Sequence, residues 1–435
     1  MEEVEHWWRV SGGEGKGEHR VEVAFAPLAI RLNRRWKTAH SASSERTNAK
    51  FDISVDGFVG SSEVGLPPPK AGIYEGTAAD CRTLALDFSR RVTFVLGERV
   101  AASGATAVSL EGLETGGRTP FGSGGNGGGG VDLARQPESG AEELLVMILG
   151  ALDECAATGR HPRAALALLE TAILRCLSSA AEVPVRDILG VEGSPDGARC
   201  FYTVGMTSCR EELAGDVSYG RRNTDFLKFK VDGDLETCAK VFAYLEEESL
   251  LVDGRRNVAI DANCSWSPRL ALEFLDRMEK YLPHLFMIEQ PFPFDVPFSD
   301  SSPEEREGWA RFKRECARRG ISVYADESMR TSGDVKDLSP FCHGVNIKLE
   351  KTGGYREAVR AWRECQAGGL TVWLGCMVGT ALNCNVIVEI LSMSDGSVDL
   401  DGFLLTSPEC QPCRPSFRLT GREECPAGRI LMDRL

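Results

Sequence analysis

No uninterrupted run of about 18 apolar residues occurs in this chain, which excludes the plain signature of a membrane-spanning helix. The first residues, Met1-Glu-Glu-Val-Glu-His6, lack the basic block and apolar stretch of a secretory signal, so a cytoplasmic protein with no membrane partner is expected. Positive charge is also short: 50 lysines and arginines face 64 aspartates and glutamates, for a formal charge of −14. A surface built to neutralise phosphates carries the opposite balance, so no nucleic-acid partner is expected. Zinc chemistry lacks a full ligand set. Fifteen cysteines are present, but they are scattered, many within apolar segments such as Leu174-Arg-Cys176 and Phe341-Cys342. Cys410-Gln-Pro-Cys413 with Cys425 offers three thiols and no fourth ligand nearby, so all read as free, reduced thiols. The run Gly122-Ser-Gly-Gly-Asn-Gly-Gly-Gly-Gly130 has no Lys-Ser or Lys-Thr after it and no strand before it, which excludes a phosphate loop.

What is present is enough chain, 435 residues with 42% hydrophobic and 26% charged content, for two folded domains. Residues 1–197 read as an α+β domain. Val21-Glu-Val-Ala-Phe25, Phe51-Asp-Ile-Ser-Val55 and Val92-Thr-Phe-Val-Leu96 are expected as strands of a small antiparallel sheet. Residues 112–140 hold the glycine run, cannot bury apolar area, and are expected to form a disordered insertion. Helical periodicity follows in Glu142-Glu-Leu-Leu-Val-Met147 and Ala164-Ala-Leu-Ala-Leu-Leu-Glu-Thr-Ala-Ile173. From residue 198 to 402, short apolar strands alternate with helices. The strands begin with Tyr202-Thr-Val-Gly-Met206 and end with Thr371-Val-Trp-Leu-Gly-Cys376 and Val398-Asp-Leu-Asp401. Eight strands so arranged imply a closed, parallel β/α barrel. Residues 403–435 are too few for a domain and are expected to pack back on the N-terminal sheet.

Three carboxylates end three successive strands of that barrel: Val258-Ala-Ile-Asp261, Phe286-Met-Ile-Glu289 and Ser322-Val-Tyr-Ala-Asp326. The gaps of 28 and 37 residues each leave room for one helix. A barrel builds its active site at the carboxyl ends of its strands, and three carboxylates there make a hard-cation site. Each one alone would also suit a helix cap or a surface, so the joint pattern carries the reading. Lysines flank the set. Lys228 and Lys230 are two apart in one strand and share a face, and Lys348 ends the strand after the carboxylates, opposite them across the mouth.

Lys228-Phe-Lys230, Asp261-Ala-Asn263, Glu289-Gln-Pro291, Asp326-Glu-Ser328 and Asn346-Ile-Lys-Leu-Glu-Lys-Thr-Gly-Gly354 together resemble the enolase superfamily, in particular its muconate lactonizing enzyme subgroup. The resemblance implies a modified (β/α)7β barrel of TIM type under an α+β capping domain. It implies that Asp261, Glu289 and Asp326 bind one Mg²⁺ per subunit. It further implies that Lys230 and Lys348 are acid/base catalysts on opposite faces of a substrate carbon, and that Lys228 holds the substrate carboxylate. Base chemistry on both faces gives proton removal and return at one carbon, that is, racemisation or epimerisation.

Val398-Asp-Leu-Asp-Gly402 and Cys376-Met-Val-Gly-Thr380 resemble motifs of dipeptide epimerases. On that resemblance Asp399 and Asp401 bind the free ammonium of a small-molecule dipeptide, and Thr203 touches the substrate. A homo-oligomer is compatible with the family. Trp36-Lys-Thr-Ala-His40 resembles the mobile capping loop, but Ser41 stands where enzymes acting on L-Ala-D/L-Glu carry arginine, and Gly379 where they can carry an acid. Poor discrimination in favour of a second-position glutamate is therefore expected. Other reactions of the subgroup, such as cycloisomerisation, dehydration or o-succinylbenzoate synthesis, and a silent binding protein on the same fold, stay open at this point.

Overall fold

Alternation of apolar and polar residues builds the first sheet. The computed structural model describes residues 7–12, 19–39, 41–103, 108–111, 133–193, 196–295, 301–421, 423 and 427–432. Strands β1 (Trp7–Gly12), β2 (His19–Lys37), β3 (Ala42–Val55), β4 (Phe58–Val64) and β5 (Val108–Glu111) form one antiparallel sheet in the order β4-β3-β2-β1-β5. Val21, Val23 and Phe25 of β2 lie opposite Val55, Ile53 and Phe51 of β3, and all six are buried. Helices α1 (Ala78–Ser103) and α3 (Arg163–Ala181) pack on the sheet, and α2 (Gly140–Ala157) packs on them. Gly60 lets α3 approach β4, since a Cβ there would lie 2.0 Å from the Ala172 carbonyl oxygen. By length and composition α3 could cross a membrane, but 67% of its apolar window is buried inside the protein, as in a core helix.

The segment Val92–Leu96, expected as a strand, lies in α1. Its β-branched residues favour a strand locally, but the longer window decides. Cys81, Leu84, Ala85, Phe88, Val92 and Leu96 are buried at helical spacing, so the apolar face of a helix overrides local propensity. Of the glycine-rich stretch, residues 112–132 lie outside the described residues. Its remainder is held: Ala134 N–H donates to the Ile188 carbonyl at 2.9 Å, and Ser139 caps α2 through the Glu142 N–H.

The second sheet is the barrel. β6 (Arg199–Cys200) and β7 (Tyr202–Val204) are two halves of one strand divided at Phe201. β8 (Leu227–Lys230), β9 (Val258–Asp261), β10 (Leu285–Glu289), β11 (Ser322–Ala325), β12 (Gly344–Ile347), β13 (Thr371–Gly375) and β14 (Ser397–Asp399) follow. The order β6-β14-β13-β12-β11-β10-β9-β8-β7 brings the halves of the first strand to the last and second strands, which nearly closes the barrel. The eight expected strands are thus nine segments. Helices Arg210–Gly220, Leu235–Glu247, Pro268–Arg277, Pro303–Arg318, Tyr355–Gly368 and Ala381–Val388 alternate with them. The end of the chain goes to two places. Ser407 N–H donates to Arg31 of β2 at 2.8 Å, whereas the hairpin of β15 (Phe417–Leu419) and β16 (Ile430–Met432) joins the barrel at Ala198, with Ile430 N–H 2.9 Å from its carbonyl.

Phe201, Phe226, Ala259, Met287, Tyr324 and Trp373 form one buried cluster. Strand side chains alternate in direction, so the residue two further along each strand returns to the same interior. From this apolar floor those residues are Thr203, Lys228, Asp261, Glu289, Asp326 and Gly375. One step of the pleat therefore carries the barrel interior from hydrocarbon to charge.

Candidate active site

The three strand-end carboxylates converge. Asp261, Glu289 and Asp326 each offer an oxygen within 4.8 Å of the others, and all three are buried. Among the described residues they are the one such group of carboxylate, thiol or imidazole ligands. The cysteines of the 410–413 pair are not part of it. Cys410 Sγ accepts from Arg31 N–H and Cys413 Sγ from Asn385, while Cys425 lies outside the described residues.

Each carboxylate meets a lysine. Lys230 Nζ donates to Asp261 Oδ2 at 2.5 Å, Lys228 Nζ to Glu289 Oε2 at 2.8 Å, and Lys348 Nζ to Asp326 Oδ2 at 2.8 Å. Lys228 also donates to Asp399 Oδ2. Room for Lys348 comes from Gly375: a Cβ there would lie 2.8 Å from Lys348 Cε and 2.5 Å from Asn346 Oδ1.

A cavity of about 320 Å³ opens above the triad between barrel and cap. Lys230, Lys348, Asp399, Asp401 and Thr203 line it, and Lys228 does not. Asp401 lies beyond the end of β14, so it reaches Asp399 through a turn of the chain and not through the pleat of a strand. Thr203 joins the two acids, its hydroxyl donating to Asp399 Oδ1 at 3.0 Å and its N–H to Asp401 Oδ2 at 2.5 Å.

Sequence reasoning missed several contributors. Gln290 ties the ends of β10 and β11: Oε1 accepts from Asp326 N–H at 2.7 Å, and Nε2 donates to Ser328 Oγ at 2.8 Å. Its φ of 38° turns the chain sharply after Glu289. Lys351 Nζ donates to Asp326 Oδ1 at 2.6 Å, and Asn346 Nδ2 to Glu289 Oε1 at 2.6 Å. Glu327 accepts from Asn263 at 3.1 Å and from the hydroxyl of Tyr74, in the cap, at 3.3 Å. Gln290 and Glu327 directly follow strand-end carboxylates, and Asn346 and Lys351 flank Lys348, all within the motifs quoted above; Tyr74 gave no sequence signal. Arg46 of β3 also lines the cavity, 8% exposed, with Ser43 Oγ and the Glu45 carbonyl as its partners and no carboxylate among the described residues. Gly379 is fixed by crowding, since a Cβ would lie 2.9 Å from Asn383 Cβ and 3.1 Å from Glu63 Oε1.

Charge tests whether an ion fits. Asp261, Glu289, Asp326, Glu327, Asp399 and Asp401 face Lys228, Lys230, Lys348 and Lys351, all of them within or beside the barrel mouth. Fully ionised, these six acids and four ammoniums leave an excess of two negative charges on the barrel side, while the cap brings Arg46 and Lys70 to the cavity wall. The protein side shows the same excess. Burial, then the charges of Asp326 and Asp261, raise Glu327 to about 7. Burial, then Asp399, raise Asp401 to about 8. Burial also opposes charge at Asp326, but Lys348 and Lys351 outweigh it and hold that carboxyl below its ordinary range. Glu327 Oε2 is buried with no hydrogen-bond partner among the described residues. Hard, buried, converging oxygens with surplus negative charge suit a divalent ion.

A family model described as "Enolase C-terminal domain-like" matches residues 211–404. Over those residues the chain matches the enolase C-terminal domain family. An enolase superfamily member from Dictyostelium discoideum is 27% identical over 417 residues, 91% of each chain. An L-Ala-D/L-amino acid epimerase from Pedosphaera parvula is 28% identical over 250 residues, 56% of this chain and 65% of that one. Several other epimerase matches span less than half of the relative's length. The solved dipeptide epimerase from Cytophaga hutchinsonii, complexed with Mg and the dipeptide D-Ala-L-Val, superposes with a TM-score of 0.66 at 17% identity, covering 99% of this chain and 93% of that one. The protein is an enzyme, and the sequence relatives named here for an activity are epimerases, that is, isomerases.

Proposed function

We propose that this chain is a member of the enolase superfamily and an Mg²⁺-dependent dipeptide epimerase that inverts the carbon next to the dipeptide's carboxylate through an enolate. One observation carries the reading. Lys230 and Lys348 hydrogen-bond to different members of one carboxylate triad and both line one cavity, whose wall also holds the acidic pair Asp399 and Asp401. The named epimerase relatives and the dipeptide complex support it.

Asp261, Glu289 and Asp326 would hold one Mg²⁺, which supplies positive charge where the substrate carboxylate gains electron density. Lys230 and Lys348 act as the base pair. One, as the free amine, takes the α-proton, and the other, as the ammonium, delivers a proton to the opposite face. Reversing their protonation states runs the reaction from the other isomer. Asp399 and Asp401 receive the dipeptide's ammonium, which would share Asp399 with Lys228, and Thr203 fixes their orientation. Lys228 reaches Glu289 and Asp399 below the cavity, so it sets the charge of the mouth and places the substrate carboxylate from beneath.

The test is proton exchange. Free L,L-dipeptides incubated with the enzyme and Mg²⁺ in D₂O should lose the α-proton signal of the second residue in NMR as the second diastereomer appears. A broad dipeptide library in which no member exchanges would overturn the assignment.

A further inference from the structure

Lys351 is a lysine the epimerase reading leaves without work. It is 3% exposed and does not line the active-site cavity. Its three ammonium protons have three acceptors: Asp326 Oδ1 at 2.6 Å, the Asn346 carbonyl at 2.9 Å, and the Asp326 carbonyl. A saturated, buried ammonium has no proton to offer a substrate and no freedom to move. What it does is occupy one particular oxygen.

The same device recurs at each member of the triad. Asp326 Oδ1 is held by Lys351, Glu289 Oε1 by Asn346 Nδ2 at 2.6 Å, and Asp261 Oδ1 by the Asn263 N–H at 2.9 Å. The other oxygens, Asp326 Oδ2, Glu289 Oε2 and Asp261 Oδ2, face Lys348, Lys228 and Lys230, and Asp261 Oδ2 also accepts from Asn263 Nδ2 at 3.3 Å. Two of those lysines line the cavity, whereas Asn346 stands in β12 and Lys351 in the short helix Leu349–Thr352. Asp326 and Glu289 therefore each keep one oxygen engaged by the frame and turn the other to a lysine of the site, while Asn263 touches both oxygens of Asp261.

Single-oxygen ligation matters because the common divalent ions differ in appetite. Mg²⁺ takes about six oxygens at close, near-octahedral distances, while Ca²⁺ takes about six to eight and commonly draws both oxygens of a carboxylate. Carboxylates limited to one oxygen each, as Asp326 and Glu289 are, suit the smaller ion. We propose that Lys351, with Asn346, is a positioning residue for ion choice: by occupying one oxygen of Asp326 and of Glu289 they bias the triad toward Mg²⁺-sized ions and against Ca²⁺. This rests on the reading of the triad as a divalent-ion site.

Binding of Mg²⁺ and of Ca²⁺ alone, without substrate, by calorimetry on the full chain tests it. The wild type should bind Mg²⁺ the more tightly. Lys351→Met should move the Ca²⁺-to-Mg²⁺ affinity ratio toward Ca²⁺ by about tenfold, the usual scale for groups behind metal ligands, whatever the lost positive charge does to the affinity for both ions alike. Asn346→Leu, which leaves the backbone acceptor of Lys351 in place, should move the ratio the same way through Glu289, and it carries the test if Lys351→Met does not fold. A wild type that binds neither ion would overturn the metal-site reading itself. A wild type that binds Mg²⁺ but prefers Ca²⁺, or folded variants that lose both ions in equal proportion or keep the wild-type ratio, would overturn the role of Lys351 while leaving the metal site standing.

Discussion

Thr203 and Asp399 meet where the barrel's backbone ladder has stopped, the hydroxyl 3.0 Å from the carboxylate. The last strand pairs with β6, up to Cys200, and Thr203 lies beyond it in β7. A side chain thus continues the closure that main-chain hydrogen bonds began, and it does so at the acids proposed to bind the ammonium. N-acetylation of a dipeptide removes that charge and leaves Lys228 as the one cation paired with the two acids among the described residues. An acetylated substrate should then lose about 2 kcal/mol or more of binding, roughly thirtyfold in kcat/KM. Equal kcat/KM for free and acetylated forms would remove Asp399 and Asp401 from substrate recognition.

The two lysines predict a split of partial reactions. Lys230 and Lys348 line the same cavity but lean on different carboxylates, Asp261 and Asp326. Lys230→Ala and Lys348→Ala should each abolish epimerisation, because each removes one of two required proton transfers. Each variant should still exchange the α-proton of one isomer with solvent, and that isomer should differ between them. Normal epimerisation by either variant would rule out two-base chemistry.

Asp401 predicts a pH dependence of stability in the metal-free, substrate-free protein. Burial and then Asp399 raise its folded value to about 8, whereas an unfolded aspartate titrates near about 4. Between those values the folded chain holds a proton that the unfolded chain has released. The contribution is therefore complete below about pH 4 and is lost as pH rises through about 8. Melting temperatures should fall over that range, and Asp401→Asn should flatten the fall. Parallel melting curves for variant and wild type would contradict the assignment.

How much of this could be read without coordinates follows from range. The triad was legible because each carboxylate ends a short apolar strand, and the pleat sends it to the interior in company with Lys228 and Lys348. Lys351 and Asn346 sat in plain view beside Lys348, but nothing local says that Lys351 reaches back to Asp326 of the preceding strand. Val92–Leu96 misled because a five-residue window shows β-branched residues and hides the helical stripe from Cys81 to Leu96. Asp399 and Asp401 do come together, though through a bend after β14 that no spacing rule describes. Arg46 was least legible, since its place in the cavity depends on how the cap sits over the barrel.

That arginine revises the expectation drawn from Ser41. Among the described cavity residues, the cap's only charged contributions are Arg46 and Lys70, and every acid comes from the barrel. Burial lowers the Arg46 guanidinium below its ordinary range, and it lacks a carboxylate partner among the described residues. A buried cation without a counter-charge is costly, and a substrate carboxylate reaching the cap would relieve that cost. Dipeptides with an acidic second residue should therefore outcompete neutral ones of similar size, even though Ser41 replaces the loop arginine. Charged hydrogen bonds of this kind contribute about 1.5–3 kcal/mol, so Arg46→Met should cut kcat/KM for the acidic dipeptide by roughly tenfold to a hundredfold. It should leave a dipeptide with an apolar second residue within about threefold, well under 1 kcal/mol. A uniform loss across both substrates would mean that Arg46 supports the cap and reads no charge.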